Sequence, residues 1–68
     1  MKKNFPLPLT IDCEGLSKKI IADLADRLAM HFVDVKVFGD DIEAYKPLSM
    51  ADYSAAWNII DRFGVKAV

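Results

Sequence analysis

The order of the hydrophobic periods constrains this chain more than any other feature. Residues 5–12 alternate with period two, residues 17–32 carry a helical stripe, and residues 33–45 alternate again around a Gly-Asp pair. A second helical stripe fills residues 49–63, and the sequence ends in Val65-Lys66-Ala67-Val68. Strand, helix, strand, strand, helix, strand within 68 residues leaves length for one small domain with one core, residues 1–68. With 53% hydrophobic residues the chain can fill that core, and it must do so by packing, because its one cysteine excludes an internal disulfide.

In the first strand Phe5, Leu7, Leu9 and Ile11 share one face, and Pro6, Pro8, Thr10 and Asp12 share the other. The two prolines remove N–H donors from one edge, so the first half of the strand is expected to overhang its neighbour. Ser17 is a suitable N-cap for the first helix, with Leu16 and Ile21 spaced as a hydrophobic staple. Its predicted buried stripe is Ile20, Ile21, Leu24, Ala25, Leu28 and Phe32.

Val33 to Phe38 and Asp41 to Tyr45 flank Gly39-Asp40, a pair suited to a type II′ hairpin. That register sets Val37 opposite Ile42, Val35 opposite Ala44 and Lys36 opposite Glu43, with the apolar side chains on one face. A slip of one residue would spoil both the face and the charge pair. Pro47 is expected to end this strand. Ser49 caps the second helix with Asp52 three residues on, and Met50, Tyr53, Ala56, Trp57, Ile60 and Phe63 form its predicted buried stripe. Gly64 stops the helix, and Val65 to Val68 make a short last strand.

This order predicts an α+β, ferredoxin-like βαββαβ sandwich: a four-stranded antiparallel sheet with two helices on one face. The first strand is then central, between the third and the fourth. The four residues of the last strand reach about as far as Leu9, so Pro6 and Pro8 fall where that neighbour has run out.

Two families with this fold share local motifs with the chain. Asp12-Cys13-Glu14-Gly15-Leu16, followed by Ile20 and Leu24, resembles the Asp-x-x-Gly-Leu turn of ACT domains, although the first helix runs about a turn long. That resemblance implies an amino-acid ligand held at a dimer interface. Ile42 to Tyr45, Lys46-Pro47, the capped helix and Gly64 to Val68 are similar to the end of heavy-metal-associated domains. Aligning Gly15-Leu16-Ser17 with the start of that family's first helix puts Lys18 and Ile21 at its two metal cysteines. Metal carriage therefore does not transfer, and neither a metal nor a cofactor is expected.

Little in the chain suggests catalysis. Cys13 stands near the start of the first helix, where the helix dipole lowers thiol pKa values, yet it has no base near it in sequence. His31 lies near the C-terminus of the same helix, about 25 Å away at 1.5 Å per residue, so the two form no dyad. Asp40 and Asp41 read as turn residues. No phosphate loop, Ser-His-Asp arrangement or HExxH is present, and an enzyme is not expected. The net charge of −1 is made of interspersed signs, without the clustered positive charge of a nucleic-acid binder. The basic start Met1-Lys2-Lys3 precedes too short and proline-broken an apolar stretch for a signal peptide, and no run of about 18 apolar residues offers a membrane span. A cytoplasmic location is the default expectation.

The expected function is a non-catalytic protein-binding or regulatory module, a form also taken by phage and mobile-element inhibitors of host proteins. The candidate surface is the sheet face away from the helices, with Phe38, Tyr45, Lys36, Glu43 and Asp34 on it, extended by the free edge of the second strand. A protein partner is expected there, a second copy of the chain among the candidates. The alternatives are an ACT-like amino-acid sensor and a metal-domain relative that has lost its ion.

Overall fold

A computed structural model describes residues 9–68, and it has the expected α+β architecture. Its elements are β1 (Leu9–Asp12), α1 (Lys18–Ala29), β2 (Phe32–Phe38), β3 (Asp41–Pro47), α2 (Met50–Phe63) and β4 (Lys66–Ala67). The four strands form one antiparallel sheet in the order β2-β3-β1-β4, so β1 is central and β2 lies at an edge. The period-two reading of residues 5–8 lies outside the described residues.

The hairpin has the predicted register: Lys36 faces Glu43, Val37 faces Ile42 and Val35 faces Ala44. Gly39 takes φ +59° while Asp40 stays out of the positive range, the combination a type II′ turn requires. β3 does not stop before Pro47; it continues through Lys46 and Pro47, with Pro47 opposite Phe32. Lys46 is held at φ +57°, a left-handed conformation uncommon for a side-chain-bearing residue. Opposite it the alternation of β2 breaks, with Phe32 buried and Val33 65% exposed.

Both predicted N-caps form. Ser17 Oγ accepts the Ile20 N–H at 3.2 Å, and Ser49 Oγ accepts the Asp52 N–H at 3.0 Å. α1 ends at Ala29, earlier than its stripe suggested, and Phe32 reaches the core from β2 instead. Gly64 closes α2 at φ +70°, its N–H bonding back to Asp61 and that of Val65 to Ile60. β4 is shorter than expected, although the Val68 N–H still donates to Thr10 O at 2.8 Å.

One core joins the sheet to the helices: Leu9, Ile11, Cys13, Ile21, Leu24, Leu28, Phe32, Ile42, Ala44, Ala56 and Ile60 are all buried. Three residues of the predicted helical stripes are displaced outward. Ile20 is 42% exposed, Trp57 40% and Met50 61%. Trp57 lines a groove with Val65, Lys66 and Ala67, where a two-residue β4 offers too little sheet to cover an indole. Ile59 packs against the core in its place.

Candidate functional site

Alternation along the strands sends Asp34, Lys36 and Phe38 of β2 and Asp41, Glu43 and Tyr45 of β3 to the face opposite the core. Thr10 and Asp12 of β1 and Lys66 of β4 join them, with Asp12 opposite both Asp41 and Lys66. The five residues predicted for the site therefore share one face. They lie in three successive rows: Asp34 with Tyr45, Lys36 with Glu43, and Phe38 with Asp41.

The middle row is tied to the row of Tyr45. The Tyr45 hydroxyl donates to Glu43 Oε1, and Lys36 Nζ stands 5.9 Å from the Tyr45 ring centroid. The bond to Glu43 and the neighbouring charge of Asp34 push the phenol above its ordinary pKa, so the hydroxyl stays a donor at neutral pH. Phe38 stands apart at the hairpin tip, 53% exposed. Four residues of strand separate its row from that of Tyr45, about 13 Å at the usual rise. The two rings thus stand apart, on either side of a charged row.

Among the described residues no strand pairs with the outer edge of β2, and Val37 lies on that edge. Val37 occupies the helix-side face as predicted, yet it remains 48% exposed, because helix cover falls short at the edge strand. Beside it is a groove of about 320 Å³ lined by Lys18, Ile21, Ala22, Val37 and Gly39.

Cys13 is fully buried, and its Sγ–H points toward Ile11 O at 3.8 Å. Burial, and then the charges of Asp12, Asp41 and Asp40, push the thiol pKa up, opposite to the lowering that the helix dipole suggested. The thiol is therefore held neutral. Among the described residues no cluster of three or more His, Cys, Asp or Glu side chains is placed to hold a metal ion. No helix among them is long and apolar enough to cross a membrane.

Sequence reasoning missed one pair. His31 is half-buried, and its Nδ1–H donates to Asp52 Oδ1 at 2.7 Å, while Asp52 Oδ2 accepts the Ser49 hydroxyl at 2.6 Å. The capping-box spacing pointed to Asp52, but nothing local could have revealed a partner 21 positions away.

Comparison of the chain with family models, with curated proteins and with solved structures returned no match.

Proposed function

We propose that this chain is a non-catalytic protein-binding module that works through its open sheet face and the outer edge of β2. The observation that carries the reading is the coincidence, on one strand, of the exposed side chains of Val37 and Phe38 with a backbone edge to which no described strand pairs. An edge strand supplies main-chain hydrogen bonds to an incoming segment, and side chains on its two faces supply the selectivity. Phe38 and Tyr45 act as anchors, and the charged row between them, flanked by Asp34, sets the charge a partner must match.

The test is affinity capture by the immobilised chain and by its Phe38→Ser/Tyr45→Ser variant. The variant should keep the far-UV circular dichroism of the wild type and lose the captured protein. Capture that persists in a variant that merely melts earlier would make the two rings structural and refute the site. A thermal-shift screen with free amino acids runs alongside it. A saturable upward shift with one of them would favour the sensor reading instead.

A further inference from the structure

Resting on that reading, we infer that the outer edge of β2 is self-complementary and takes a second copy of this chain, β2 against β2, antiparallel and centred on Val35. The backbone determines which residues can take part. Thr10 O accepts from Val68, so Thr10 turns its polar groups toward β4; Cys13 N–H donates to Asp40 O at 2.8 Å, as the odd-numbered residues of β1 turn toward β3. The alternation of an antiparallel ladder then turns Ile42 and Ala44 toward β1, and Asp41, Glu43 and Tyr45 toward β2. On β2, the groups of Asp34, Lys36 and Phe38 are used by β3. Those of Val33, Val35 and Val37 point away from the sheet.

A two-fold pairing must match outward groups with outward groups and keep both helix layers on one side. That leaves few registers. Centring on Asp34 sets Asp34 against Asp34 of the second copy, and centring on Lys36 sets Lys36 against Lys36. Centring on Val35 sets Asp34 against Lys36 of the second copy twice over. It also brings Val33 alongside Val37 of the second copy twice over, and the two are 65% and 48% exposed in the single chain. Val33 of the second copy then lies beside the groove lined by Ile21, Ala22 and Val37. Charge and apolar cover select the same register. Longer shifts shorten the ladder and leave Asp34 or Lys36 without an opposite charge. On the open face Lys36 then stands between Glu43 of its own chain and Asp34 of the other, joining the two four-stranded sheets into one.

The experiment is sedimentation of the wild-type chain and of Asp34→Lys, Lys36→Asp and Val33→Lys, singly and mixed. The wild type should sediment as a dimer. Asp34→Lys sets Lys against Lys across the two-fold and Lys36→Asp sets Asp against Asp, so each should raise the dissociation constant about tenfold or more. An equimolar mixture of these two variants restores both opposite-charge pairs and should form a heterodimer. Because Lys36→Asp also faces Glu43 on β3, circular dichroism checks its fold. Val33→Lys, at an exposed position, provides an independent dissociating change. A wild-type chain that is monomeric throughout overturns the pairing, as does a dimer indifferent to all three substitutions or a mixture that stays monomeric. A monomer that still captures a different protein through Phe38 and Tyr45 overturns the self-pairing alone. A dimer with rescue on mixing, whose capture ignores those two rings, upholds the pairing and overturns the aromatic site.

Discussion

Asp52 serves two parts of the fold with one carboxylate. One oxygen takes the Ser49 hydroxyl at the start of α2, and the other takes the ring N–H of His31 from the turn between α1 and β2. Both bonds favour the ionised form, that to Ser49 most, and hold the Asp52 pKa below its ordinary value of 3.8. A lowered folded-state pKa adds stability that is present above the unfolded value and is lost as pH falls through the folded one. Asp52→Asn should therefore lower the melting temperature near neutral pH, and the gap to wild type should narrow as the pH falls below the ordinary carboxylate range. A gap independent of pH would mean that the carboxylate charge contributes nothing. His31 shows how far local reasoning reaches at this scale. Its sequence neighbours suggest a solvated helix end, whereas the turn places it against a different helix.

At the scale of the elements, the two N-caps differ in what depends on them. Ser17 accepts one backbone N–H, whereas Ser49 accepts one and also orients Asp52. Ser17→Ala should cost about 1 kcal/mol, the usual loss of a cap, and Ser49→Ala should cost more than that at neutral pH. Urea unfolding of the two variants side by side measures the difference, and equal costs would place the Asp52 network outside the folding balance. The hairpin was legible because its determinants are local: a turn that accepts positive φ at Gly39, an apolar face, and a charge pair across the strands. The path of β3 beyond Tyr45 was not legible, since a proline reads as a stop. In the fold Pro47 sits opposite Phe32, after a left-handed Lys46 that no propensity foretells.

At the scale of the whole molecule, burial ranks the core differently from residue size. Leu24 is fully enclosed, while Trp57 lies at the margin over a two-residue strand. Leu24→Ala should cost about 2–5 kcal/mol, a large share of the stability of so small a domain. Trp57→Ala should cost distinctly less than the usual loss of a buried Trp, because a large part of the indole is already in water. Equilibrium denaturation decides the order, and a Trp57→Ala loss larger than that of Leu24→Ala would contradict the burial described here. The same accounting explains why the predicted stripe of α2 was partly misplaced. Helical spacing identifies an apolar side, but the extent of sheet beneath it decides which of those residues are covered.

The sequence by itself determined the element order, the hairpin register, both helix starts and the stop at Gly64, because each depends on residues within a few positions of one another. It also placed the five candidate residues on one face, since period two in a strand leaves only two faces to choose from. Tertiary structure alone decided what lies between distant segments. It enclosed Cys13 and raised its pKa, and it joined His31 to Asp52. It also left Val37 uncovered at the β2 edge. Those outcomes depend on where helices end over a twisted sheet and on which strand lies at its edge, and no short stretch of this chain encodes either.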